Sequence, residues 1–298
     1  MAVAIGLDCG GSNSRALAVD SNGNQIFNGN SGAANLASTP LPRLRRNLTN
    51  CLSGAPKADF ICGCFAGQIS EETRLLGESI LAEIQPGAKI KVLPDYAAAL
   101  QAAPAGTDLL VISGTGSLVC SRIGDQYHKS GGGGYILGDE GSGYRFGRRV
   151  LAEFMHRPNE SSESVRKLVQ QTFGTLHVQD VVLAVYRAST PASIIAKLAK
   201  GLAQDAADGM EYAMQGIVAE FSELAMITRH HINEHFGDRR SIQLCLSGGV
   251  WKLGAAFRSE FERQLSMVTP DLDLTIVRIE RPPLMGAVEL ARELGNGN

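Results

Sequence analysis

An excess of charge of either sign is the first thing this sequence lacks. Its 28 Lys and Arg are nearly balanced by 30 Asp and Glu, leaving a net charge of −2. No basic field is available to hold a nucleic-acid backbone or an anionic membrane. The one dense basic patch, Arg43, Arg45 and Arg46, has the spacing of a solvated helix face. Long apolar runs are also missing, and none approaches the roughly 20 residues needed to cross a bilayer. The apolar start from Met1 to Leu7 is short, has no basic leader and runs into Asp8, so neither a signal peptide nor a span is expected there. These absences make a cytoplasmic protein the expectation, with no nucleic acid and no membrane among its partners.

Cysteine is sparse and unpatterned. None of the six (Cys9, Cys51, Cys62, Cys64, Cys120, Cys245) forms a Cys-x-x-Cys pair. Cys62 and Cys64 share one face of an expected strand, which could make a metal or redox pair. No other ligand cluster accompanies them, so two small buried thiols are the plainer reading. His231 and His235 have the i, i+4 spacing of metal ligands. They lack the glutamate of a zinc-protease motif, and cations are expected near a helix C-terminus in any case.

What is present is a chain of 298 residues, 44% apolar, long enough for two cores. Ala2–Leu7, Arg15–Asp20 and Gln25–Gly29 read as three antiparallel strands. Asn22-Gly23 supplies a hairpin with positive φ at both central positions. Helices follow at Leu41–Leu52, after Ser70, and at Ala97–Ala102, alternating with strands at Asp59–Phe65 and Lys89–Leu93. Ser70 is the expected cap of its helix. Three strands and then alternating helices and strands is the order of a ribonuclease-H-like α/β half. The pattern restarts with strands Asp108–Ser113 and Leu118–Ile123, a helix Gly143–Phe154, a helical stretch over about 161–236, strands Ser241–Leu246 and Leu272–Val277, and helices Leu253–Leu265 and Leu284–Leu294.

Each half opens with a strand, a glycine- and hydroxyl-rich turn, and a second strand. The first turn is Asp8-Cys9-Gly10-Gly11-Ser12-Asn13; the second is Gly114-Thr115-Gly116-Ser117. Rossmann and Walker loops need a helix after the turn, so neither fits. Gly10 and Gly11 let phosphate oxygens approach backbone N–H groups, and Ser12 and Asn13 add donors. Asp8 at a strand end suits Mg²⁺ held through water. A third turn, Ser247-Gly248-Gly249, runs from a strand towards a helix and suits a flat nucleoside base.

These residues, with Asp95 after a strand and Gly132-Gly133-Gly134-Tyr135-Ile136-Leu137-Gly138-Asp139-Glu140-Gly141-Ser142-Gly143, make the chain resemble the sugar kinase, actin and chaperone-ATPase superfamily. Within it the chain is similar to N-acetylglucosamine kinases and the BadF/BadG ATPases over nearly its whole length. The resemblance implies two ribonuclease-H-like (actin-like ATPase) domains with an active-site cleft between them: 1–107 with a closing helix at 284–298, and 108–283 with a helical insertion. It implies ATP and Mg²⁺, and an amino-sugar 6-hydroxyl as acceptor. It assigns Asp95 as catalytic base; Asn35, Asp139 and the Gly132–Gly134 loop to the sugar; Ser12, Thr115 and Ser117 to the ATP phosphates; and Gly248 and Gly249 to the nucleoside. Asp95 as the N-cap of the helix at Ala97 is the plainer alternative.

Two departures bear on the sugar. Gly133 stands where the animal relative has tryptophan, and Cys9 replaces a glycine of the first turn. N-acetylglucosamine, glucosamine and other hexoses all stay open. So does a BadF-type ATPase that activates a partner reductase, and a homodimer through the helical stretch is compatible with the sequence.

Overall fold

The computed structural model describes residues 2–296. The chain divides into two compact units, one running to Ala105 and resuming at Ile279, the other spanning Gly106–Arg278.

In the first unit, β1 (Ala4–Cys9), β2 (Asn13–Val19) and β3 (Gln25–Gly32) form an antiparallel meander. Then come α1 (Leu41–Cys51), β4 (Phe60–Phe65), α2 (Glu71–Ile84), β5 (Lys89–Pro94) and α3 (Asp95–Ala102). The sheet order is β3-β2-β1-β4-β5, with β1, β4 and β5 parallel. β1 is apolar on both faces, as a strand covered on both sides must be. One face packs Ile5, Leu7 and Cys9 against Leu44, Leu48, Ile80 and Leu81. The other face receives the helix after Pro283, described below. Ser70 caps α2 by accepting the Thr73 N–H at 3.2 Å, as expected for that residue type.

The Asn22-Gly23 hairpin departs from the expected turn. Only Gly23 takes a positive φ, at 85°. The Asp20 carboxylate accepts the N–H groups of Asn22 and Asn24, both at 2.9 Å, which holds Asn22 out of the left-handed region. The extra residue is absorbed as a register shift at Ala18/Val19.

In the second unit, β6 (Leu109–Ser113), β7 (Ser117–Ile123) and β8 (Gln126–Gly131) repeat the meander. Then follow α4 (Gly134–Leu137), α5 (Gly143–His156), α6 (Glu163–Phe173), α7 (Val178–Arg187), α8 (Pro191–Ala196), α9 (Ala199–Ala207) and α10 (Glu211–Phe236). After β9 (Ser241–Ser247) come a 3₁₀ turn (Val250–Lys252), α11 (Ala255–Val268) and β10 (Asp273–Arg278). The sheet order β10-β9-β6-β7-β8 is the first sheet's order again, with β6, β9 and β10 parallel. The fold is therefore α/β, with a ribonuclease-H-like sheet in each unit. β8 was not expected from the sequence. Its His128-Lys129-Ser130 run is polar because it forms a sheet edge, and it lacks the apolar alternation that announces a strand.

The chain closes with α12 (Pro283–Asn296), which returns to the first unit and packs on β1. A side chain at Gly6 would collide with the backbone of Val288, so the strand and helix meet only because Gly6 has none. The last two residues of the expected closing helix, 297 and 298, lie outside the described residues.

His231 is a core residue. It is fully buried on α10, with Nδ1 2.8 Å from the Ser130 hydroxyl and Nε2 2.9 Å from that of Ser121. Burial, with the nearby His235, His128 and His230, lowers its pKa to about 4. The unfolded chain, with a histidine near 6.5, binds this proton more readily. Stability is therefore expected to fall as pH drops from about 6.5 towards 4. Urea midpoints measured across that range in the parent and in His231→Gln check this. Equal slopes would rule out His231 as the cause.

Candidate active site

In the first unit, the candidate residues gather at the C-terminal ends of the parallel strands. This edge is where ligands bind in open α/β sheets. Asp8 lies in β1 beside Cys64 of β4, and Asp95 directly follows β5. Both carboxylates lie close enough to Cys9 to help burial raise its thiol pKa. Burial also raises the Asp8 carboxyl pKa, against the opposing pull of Arg15.

The Gly10–Asn13 turn is tight. The Gly10 N–H is spent on the Asn13 carbonyl at 2.8 Å, and the Gly10 carbonyl accepts from Ala34. Phosphate contact here would therefore fall to Gly11, Ser12 and Asn13, all exposed. Asp95 is not the N-cap of α3. Pro94 holds that position, and Asp95 is the first helical residue, with Oδ1 accepting the Tyr96 N–H at 3.0 Å.

Asn35 forms an Asx turn. Its Oδ1 accepts the N–H groups of Ala37 (2.9 Å) and Ser38 (3.0 Å). That leaves the amide NH₂ as the group this side chain could offer a ligand. Gly67, just after β4, packs against the same side chain, where any Cβ would overlap Asn35 Oδ1. The sequence pattern had not singled out Gly67.

In the second unit, the Gly114–Ser117 turn, the Gly132–Gly134 loop, Asp139 and Gly248 come together. Gly114 N–H donates to the Gly116 carbonyl, and the Gly114 and Thr115 carbonyls accept from Gly143 and Tyr144 at the start of α5. Ser117 is buried. Its N–H reaches Asp139 Oδ1 (3.3 Å) and its hydroxyl donates to the Glu140 carbonyl (2.6 Å). Ser117 thus serves the acidic loop, and exposed Thr115 is the turn's outward hydroxyl.

Asp139 takes φ 62°, the one non-glycine residue at positive φ among the described residues. Such strain persists only where the surroundings enforce it, and it concentrates at functional sites. Its carboxylate accepts from the Ser117 and Gly134 N–H groups, yet burial still raises its pKa. A Cβ on Gly116 would lie 2.6 Å from Asp139 Oδ2, so the turn must be glycine there.

Gly248, at φ 114°, touches the end of β6, where a side chain would overlap the Ser113 carbonyl. Gly249 is exposed, with open space at its Cβ position. Trp251 is buried below them and donates to the Ser247 carbonyl at 2.9 Å.

Among the described residues, no group of three or more His, Cys, Asp or Glu is arranged to hold a metal ion. Cys62 and Cys64, with sulfurs 3.9 Å apart, are both fully buried and belong to no such group. Asp8 alone is a sparse donor set. It fits a Mg²⁺ carried by nucleotide phosphates rather than one held by a protein cage. No helix among the described residues is long and apolar enough to cross a membrane.

Missed by the sequence reading were Glu220, Arg145 and Arg149. The signal was there: Glu220 falls in the buried stripe Gly216, Ile217, Phe221, Leu224 of α10, where a carboxylate needs a partner.

A glycine- and hydroxyl-bearing turn thus stands at the same corner of two sheets that repeat one strand order. The chain belongs to the BadF/BadG/BcrA/BcrD ATPase family, whose model matches residues 5–291. Two relatives are kinases by name. The N-acetylmuramic acid/N-acetylglucosamine kinase of Clostridium acetobutylicum is 23% identical over 98% of this chain and 99% of its own. The N-acetyl-D-glucosamine kinase of Dictyostelium discoideum is 29% identical over 49% of this chain and 52% of its own. Among solved structures, a Chromobacterium violaceum protein proposed to be an N-acetylglucosamine kinase superposes with a TM-score of 0.72 at 20% identity, covering 98% of this chain and 99% of that one. A ROK family glucokinase from Streptomyces griseus, in complex with glucose and AMPPNP, superposes at 0.64 with 14% identity, covering 98% of this chain and 99% of that one.

Proposed function

We propose that this protein is an ATP-dependent kinase that transfers the γ-phosphoryl group to the 6-hydroxyl of an amino sugar, with N-acetylglucosamine as the first candidate. The observation that carries the reading is Asp95. It stands at the carboxyl end of β5, on the sheet edge that also holds the Gly10–Asn13 turn. A carboxylate there can accept the hydroxyl proton as the sugar oxygen attacks the γ-phosphorus and ADP departs. Both named relatives are N-acetylglucosamine kinases, which favours an amino sugar over a plain hexose.

In this reading, Gly11, Ser12, Asn13, Gly114, Thr115 and Gly116 meet the phosphates. Gly248 and Gly249 admit the nucleoside. Asn35, Asp139 and the Gly132–Gly134 loop orient the sugar, with Ser117 holding Asp139 in place. Asp8 would hold Mg²⁺ through water, and the ion would supply charge neutralisation at the phosphate oxygens. Activation of a partner reductase through a shared iron–sulfur cluster is not favoured. All six cysteines are buried, whereas a cluster shared with a partner needs thiols at the surface.

A coupled ADP-release assay across N-acetylglucosamine, glucosamine, N-acetylmannosamine, N-acetylmuramic acid and glucose tests the proposal. The expected result is the highest kcat/KM on N-acetylglucosamine. ATP hydrolysis unchanged by every sugar would sink it.

A further inference from the structure

Glu220 is an almost fully buried carboxylate (1% exposed) in the middle of α10. Four donors converge on it. Arg145 Nε reaches Oε2 at 2.9 Å, Arg149 reaches Oε1 with Nε at 2.9 Å and Nη2 at 2.8 Å, and the Gly141 N–H reaches Oε2 at 3.3 Å. The α10 backbone makes room for this. Gly216, one turn earlier, would place a Cβ 3.0 Å from Arg149 Cδ.

Buried ion groups of this kind are weak sources of net stability. Apolar replacements of similar volume often match them. Their contribution is better sought in the geometry they impose. Here that geometry is the loop carrying Asp139. Gly141 is at φ 70° and lies so close to α10 that a Cβ would stand 2.8 Å from Leu224 Cδ2. The loop is held from one side by the Ser113 and Ser117 hydroxyls, which donate to the Gly141 and Glu140 carbonyls, each at 2.6 Å. From the other side it is held by Glu220. A single residue, Glu140, separates the gripped N–H from Asp139 and its left-handed backbone.

We infer that Glu220 is a positioning residue for the sugar site: by holding Gly141 against α10 it fixes the strained backbone that aims Asp139. The inference rests on the reading of Asp139 as a sugar ligand. It assigns to a residue on a distant helix a share in acceptor binding, with no contact to the acceptor. Arg145 and Arg149 hold the carboxylate in place, so that its fourth interaction can be directed at the loop.

The experiment is a double-mutant cycle with Glu220→Gln and Asp139→Asn, reading KM for N-acetylglucosamine and for ATP, kcat, and the thermal midpoint of each variant. Glu220→Gln is expected to raise the sugar KM about tenfold, the scale of a small misplacement of a binding group, with the ATP KM within about twofold. The double variant is expected to be no worse than Asp139→Asn alone, because both changes remove the same interaction. An unchanged sugar KM in Glu220→Gln, sugar and ATP KM rising together, or fully multiplicative effects would each overturn the inference while leaving the sugar-site reading intact. A sugar KM untouched by Asp139→Asn would overturn both. Should Glu220→Gln fail to fold, Glu220→Asp keeps the charge for the arginines, draws the carboxylate back from Gly141, and carries the same expectation.

Discussion

Asp95→Asn is expected to lower kcat for sugar phosphorylation about a thousandfold, within the range that loss of a general base produces, while the KM for sugar changes little. The carboxylate sits at the first residue of α3, at the end of β5. An amide at the same position keeps the shape and the hydrogen bonding but cannot take the proton. Because Pro94, not Asp95, is the N-cap, the substitution removes no capping bond, and the thermal midpoint should hold within about 2 °C. Activity and stability therefore separate in this variant. A variant that keeps parental kcat on every sugar it binds would remove Asp95 from the chemistry. A variant that loses both would make Asp95 a structural residue.

The second large effect concerns stability. Gly248→Ala is expected to destabilise the protein by about 3 kcal/mol, adding a steric overlap to a strained backbone. Residue 248 has φ 114°, a region that side chains avoid, and the new methyl would overlap the carbonyl oxygen of Ser113. Relief requires β9 and β6 to part at the end where the Gly114 turn begins. The KM for ATP should rise along with the loss of stability. Gly249→Ala is the matched control, because nothing lies within 4 Å of the position its Cβ would take and its φ is ordinary. Chemical denaturation of both variants decides the matter. Equal midpoints would show that the β6–β9 contact tolerates a side chain.

The duplicated strand order was legible because the information is local. β1, β4, β6 and β9 are buried apolar runs bounded by glycine or polar turns, and two glycine-rich corners mark where each meander folds back. The family resemblance is carried by the two glycine turns, Asp95, the Ser247–Trp251 turn and, most discriminating, the motif between Gly132 and Gly143 taken together. The edge strand β8 was not legible. Its residues are polar on a half-exposed surface, and only pairing with β7 makes the segment a strand.

The site divides the same way. The residue types suited to phosphate, Gly11, Ser12 and Thr115, can be read from the turn they occupy. The use made of each group cannot. Ser117 looks like a phosphate ligand in sequence, yet both its donors turn inward to the Asp139 loop. Asn35 spends its carbonyl on its own turn. Neither choice can be seen without the partner's position, since a hydroxyl or amide has no periodicity to betray it.

By itself, then, the sequence determined the repeated α/β frame, the two glycine turns and the carboxylate between them, because strand burial and turn chemistry act over a few residues. Only the tertiary structure decided that Asp139 would be held at positive φ, that Gly6 and Gly248 would be contact points for whole elements, and that Glu220, some 80 residues along the chain, would grip the loop beside it. Those depend on how closely one backbone approaches another, and that distance is set by the packing of entire strands and helices, not by any stretch of neighbouring residues.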